Sequence, residues 1–61
     1  MHAKVIQAMK DKGWNLHLIA KRSGINQSRL ERGVLGTREE RALYRLAEEE
    51  CGLDIDEIEQ E

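Results

Sequence analysis

Between Ser23 and Gly33 the chain reads SGINQSRLERG. Asn26, Gln27, Ser28 and Arg29 follow one another there, four side chains rich in hydrogen-bonding groups. Asn and Gln can grip adenine through a donor and an acceptor at once, Arg can grip guanine, and Ser can serve several bases. The same groups also bond phosphate oxygens. Cations surround them: Lys21 and Arg22 precede the stretch, Arg32 lies near its end and Arg38 follows it. Such chemistry suits a polyanion whose base edges are read, provided that one end of a helix holds the residues outward.

The overall charge of −2 argues against a polyanion until its distribution is considered. All ten Lys and Arg stand at or before Arg45, and only Asp11, Glu31, Glu39 and Glu40 oppose them through Ala47, which leaves +6. From Glu48 onward there are eight acids and no base, so the segment 48–61 carries −8. A basic body followed by an acidic end fits an anionic partner, with the acidic end turned away or contacting something else.

Sixty-one residues make a single domain, 1–61, close to the lower limit for independent folding. Its core must be aliphatic, because Phe is absent and Trp14 and Tyr44 are the aromatic residues. With no Pro and abundant Ala, Leu, Glu, Lys and Arg, local preference favours helix throughout, so the fold expected is all-α. Val5, Ile6 and Met9 make one stripe of a first helix over residues 2–12, with Lys4, Gln7, Lys10 and Asp11 outward and Gly13 as its stop. Trp14 then plugs a connector.

Asn15 caps a second helix over 16–23, which turns Ile19 and Ala20 inward with Leu16 or Leu18 beside them. Gly24 ends it, and Asn26 caps a short third helix anchored by Ile25 and Leu30 and stopped at Gly33. The loop GVLG fastens to the core through Val34 or Leu35. TREE reads as a capping box in which Thr37 and Glu40 satisfy each other's backbone. Leu43, Leu46 and Ala47 then face inward on a fourth helix, with Ala42 and Tyr44 at its edges, up to Gly52. LDIDEIEQE offers a last short helix, capped at Asp54 or Asp56, that completes the core through Leu53, Ile55 and Ile58 or else frays.

Two short helices joined by a turn of about three residues containing Gly make a helix-turn-helix, here about 16–33. Close crossing of the helices needs a small residue in the first, which Ala20 supplies. The turn needs positive φ, which Gly24 supplies four positions later. IAKRSGINQSRLERG resembles the motif of the phage repressor and Cro family, also called the Xre or lambda-repressor-like family. The shared elements are Ala, then Gly four residues on, then an apolar residue, a polar pair, Ser and a further apolar anchor. RLAEEECGLDIDE is similar to that family's later helix and the turn after it, so the likeness covers about residues 14–55.

The resemblance implies a compact four- to five-helix domain that binds double-stranded DNA as a homodimer. Gln27, Ser28 and Arg29 would meet base edges, and Asn26, Lys21, Arg22, Arg32 and Arg38 phosphates. The last helix, through Leu53, Ile55 and Ile58, would meet a second copy. The chain departs from the pattern twice. Leu16 stands where the family often has a phosphate-contacting Gln, and Gly33 stands where a further apolar anchor is usual. The third helix should therefore be truncated, with Val34 replacing the missing anchor.

Other chemistries find little support. His2, His17 and Cys51 lack metal-ligand spacing, and Glu39 and Glu40 read as helix-start acids. No nucleophile arrangement or phosphate-cradling Gly-rich loop occurs, so neither an enzyme nor a cofactor is expected, and so small a core suggests no small-molecule effector. A lone Cys51 cannot form an internal disulfide, no stretch approaches the roughly 20 apolar residues of a membrane span, and MHAKVIQAMKDKG lacks a signal-peptide core. These features fit a cytoplasmic protein with no membrane partner. A different class of function remains consistent with the residues: a protein-interaction module, antitoxin-like or an anti-regulator adaptor, that uses the acidic segment 48–61.

Overall fold

The apolar stripe of Val5, Ile6 and Met9 forms one face of α1, His2–Asp11, and all three side chains are buried. The computed structural model describes residues 2–59, so Met1 and the last two residues of the acidic segment, Gln60 and Glu61, lie outside the described residues. After α1 come α2 (Leu16–Ser23), α3 (Gln27–Arg32), α4 (Thr37–Cys51) and α5 (Ile55–Glu59), with no strand among the described residues. The protein is thus all-α, and the described residues form five helices in a globule of 26 × 22 × 17 Å.

α4 is the central element and packs against α1, α2 and α5, while α1 also touches α5 and α2 touches α3. Leu43 and Ala47 on α4 are wholly buried and Leu46 nearly so. They meet Val5, Ile6 and Met9 of α1, Ile19 of α2, Leu30 of α3 and Ile55 of α5 in one aliphatic cluster. Trp14 packs on the rim of this cluster as a partly buried plug. Of the two leucines available to α2, Leu16 joins the core.

Two features of the loop after α3 depart from the sequence-based expectation. Val34 does not replace the missing anchor: it is 62% exposed, and Leu35 packs against the core instead. The start of α4 is also shifted by one residue. Gly36, not Thr37, is the N-cap, and Thr37 is the first helical residue. Gly36 has no side chain to cap with, so only half of a capping box exists: its backbone N–H donates to Glu39 Oε1 at 3.0 Å. Glu40, the residue expected to reach back, instead lies 3.4 Å from Nε2 of His2, a ring that is buried.

Candidate functional site

Local hydrogen bonds fix the geometry of α2, the turn and α3. Asn15 Oδ1 accepts from the backbone N–H of Leu18 at 2.8 Å and opens α2. At its other end Gly24 takes φ 78°, a left-handed conformation that a Cβ disfavours, and its N–H returns to the Ala20 carbonyl. Ser23 reinforces the corner: its hydroxyl donates to the Ile19 carbonyl at 2.6 Å and accepts from the Ile25 N–H at 3.3 Å. Ile25 is thereby buried at the end of the turn.

Asn26 then caps α3, its Oδ1 accepting from the Ser28 N–H at 2.8 Å. This bond uses the side-chain carbonyl, which leaves the amide NH2 as the group that can reach a ligand. α3 lasts only six residues because Gly33 turns left-handed at φ 70°. The N–H groups of Gly33 and Val34 bond back to Leu30 and Arg29, a Schellman closure that satisfies the last carbonyls. Leu30 is the one residue α3 buries, so the rest of the helix is turned outward.

Asn26, Gln27, Ser28 and Arg29 are all exposed, and so are Lys21, Arg22, Arg32 and Arg38. The first four occupy the cap and first turn of α3, where the N–H groups of Ser28, Arg29 and Leu30 all bond back to Asn26, so the side chains are the groups on offer. Arg29 is not loose. Its Nε and Nη2 donate to Glu39 Oε1 at 3.1 and 2.7 Å, the same oxygen that receives the Gly36 N–H. The hydrogen bond from Arg29, followed by that from Gly36, holds the Glu39 carboxyl below its ordinary value, against a smaller opposing effect of burial.

The end of α2 and one face of α4 line an open groove of about 400 Å³ whose walls carry Arg22, Arg38, Arg41 and Arg45. The three α4 arginines stand at i, i+3 and i+7, one stripe covering about 10 Å of helix axis. Glu49 and Glu50 close its far end, Glu49 against Arg45 at 2.9 Å and Glu50 against Arg22 at 3.5 Å. The acidic segment therefore does not simply point away from the basic body. Its first residues neutralise the arginines at one end, while Arg38 and Arg41 have no carboxylate partner among the described residues.

At the other end of the chain, Ile55 is buried in the protomer's own core, and Leu53 and Ile58 are partly buried against it. Asp54 caps α5 by accepting from the Glu57 N–H at 3.3 Å. Tyr44 donates its hydroxyl to Glu59 at 2.8 Å, and burial followed by that bond pushes the phenol up to about 12. Burial likewise pushes the Cys51 thiol up. Among the described residues no group of three or more His, Cys, Asp or Glu could hold a metal ion, and no helix is long and apolar enough to cross a membrane.

By sequence Glu39 is only a helix-start acid, and neither Arg41 nor Arg45 has an assigned contact. Helical spacing puts the three α4 arginines on one face, but their meeting with Arg22 depends on the packing of α2 on α4. Nothing local links Glu39 to Arg29, ten residues earlier. Comparison of the chain with protein families, with curated proteins and with solved structures found no match.

Proposed function

We propose that this protein is a sequence-specific DNA-binding transcriptional regulator, a Cro-like repressor in the cytoplasm. It would lay α3 in the major groove of double-stranded DNA. The observation that carries the reading is the outward first turn of α3: Asn26, Gln27, Ser28 and Arg29 stand exposed and pre-set by a cap and an ion pair. Gln27, Ser28 and Arg29 meet base edges. Asn26, Lys21, Arg22, Arg32 and Arg38 hold the backbone, and Arg41 continues their line. A six-residue helix reads few base pairs, so a homodimer on an inverted repeat supplies the rest, with half-sites about 34 Å apart. Leu53 and Ile58 are the dimer residues with surface left to offer, since Ile55 is committed to the protomer core. Repression follows from occlusion of a promoter.

Selection from a pool of duplexes with a randomised core tests this directly. The protein should enrich a palindrome, and its affinity should fall steeply with salt as phosphate counterions are released. Arg29→Ala should cost roughly 1–3 kcal/mol, concentrated at one base position of each half-site. Uniform binding to every duplex, or no binding at low salt, would overturn the proposal.

The exposure of Asp54, Asp56, Glu57 and Glu59 on and before α5 favours a second reading, an interaction module for a basic protein. Deleting 53–61 would remove Ile55 from the core and confuse the result. Neutralising Asp56 and Glu57 to Asn and Gln keeps the fold and tests the charge alone. This reading leads if the duplex pool yields nothing and a basic partner is lost with those two charges.

A further inference from the structure

Arg29 is one arginine within the four-residue stretch at the start of α3, and how its guanidinium is held matters to what it can read. A guanidinium offers two bidentate edges, one formed by Nε and Nη2 and the other by Nη1 and Nη2. Glu39 occupies the first of these through a single oxygen, at 3.1 and 2.7 Å. Both protons of Nη1 and the second proton of Nη2 are left facing away from the carboxylate. That remaining edge matches the paired O6 and N7 acceptors of guanine in the major groove.

The carboxylate that does this is itself fixed. Glu39 lies in the first turn of α4, and its Oε1 also accepts the Gly36 N–H at 3.0 Å. Three donors from two elements converge on one oxygen, so α4 determines where the α3 arginine points. We infer that Glu39 is the positioning residue that presents the free edge of Arg29 to a guanine, an inference that rests on the DNA-binding reading above. A carboxylate near a phosphate backbone weakens binding to DNA in general. Its contribution is therefore to selectivity: it reduces the freedom Arg29 must lose on binding and keeps the guanidinium from swinging to the nearest phosphate.

The sign of that trade separates positioning from mere support of the fold. Duplexes selected from the randomised pool by the unaltered protein are the probes, each compared with versions in which the preferred guanine is replaced. Arg29→Ala and Glu39→Ala should each reduce the guanine preference by roughly fivefold to tenfold, and the double variant should lose little more. Glu39→Gln keeps an oxygen for Gly36 but holds the guanidinium less firmly, so it should fall between. Meanwhile both Glu39 variants should bind random-sequence duplex as tightly as the unaltered protein or more so, because an anion has been removed. A folding defect would instead weaken binding to every duplex in parallel, which overturns the inference. So does an undiminished guanine preference in Glu39→Gln and Glu39→Ala. If the unaltered protein prefers no duplex at all, the DNA-reading proposal falls and this inference falls with it.

Discussion

α3 spans six residues and buries only Leu30, whereas α4 spans fifteen and buries Leu43, Leu46 and Ala47. Both end at a left-handed glycine, and both begin at a capped turn, yet they depend on the rest of the molecule differently. α4 has good helix formers over most of its length and lies against three other helices. α3 is far below the roughly 12–15 residues at which an isolated helix becomes marginally stable. Its structure comes from Asn26 at one end, Gly33 at the other, Leu30 beneath and Glu39 across from Arg29. The contrast explains how a small domain can expose a polar helix: one helix supplies the core, and the other is held in place with almost no core of its own.

The largest effects should come from two of the buried leucines, Leu43 and Leu30. Leu43→Ala should lower stability by roughly 3–5 kcal/mol and Leu30→Ala by roughly 2–4 kcal/mol, both read from urea unfolding followed by helical circular dichroism. A loss of under about 1 kcal/mol for Leu30→Ala would mean that caps and the ion pair alone dock α3. Next, Gly33→Ala forces a Cβ into a left-handed residue and should cost about 1–2 kcal/mol. Asn26→Ala should cost about 1 kcal/mol through loss of the cap, and it should raise hydrogen exchange in α3 before α4.

A smaller effect should follow acidification. Because Glu39 titrates below its ordinary value of 4.5 in the folded protein, its contribution is complete above that value. It fades as pH falls through the lowered folded value, releasing Arg29 and the start of α4 together. A carboxyl NMR titration checks the direction, and a Glu39 midpoint at or above 4.5 would contradict the pairing. The smallest effect belongs to the Arg22–Glu50 pair, whose side chains are 57% and 43% exposed. Glu50→Gln should change stability by about 0.5 kcal/mol or less, while exposing Arg22 to any anion that enters the groove.

Helix ends were the most legible part of the fold. Asn15, Gly24, Asn26, Gly33 and Gly52 act where residue type and spacing placed them, because each makes its decisive bonds to residues a few positions away. The stripe of Val5, Ile6 and Met9 and that of Leu43, Leu46 and Ala47 were legible for the same reason: helical periodicity alone assigns their face. The start of α4 was misread because Thr is the better capping residue by type. The choice of Gly36 goes with Glu39, whose carboxylate also answers to Arg29. The loop was misread because adjacent Val34 and Leu35 are chemically alike, and only the position of α3 against the core determines which one turns inward.

Local chemistry in the chain was thus sufficient for an all-helical domain, for the limits of α2 and α3, and for the outward polar turn at Asn26 to Arg29. Such features arise from backbone hydrogen bonding and apolar periodicity within one or two helical turns. Three others required distant segments to meet: the Arg29–Glu39 bond, the arginine groove between α2 and α4, and the return of Glu50 onto Arg22. No short window of sequence contains both halves of any of them. Their geometry is set by how α4 packs beneath the other helices, which is a property of the whole core.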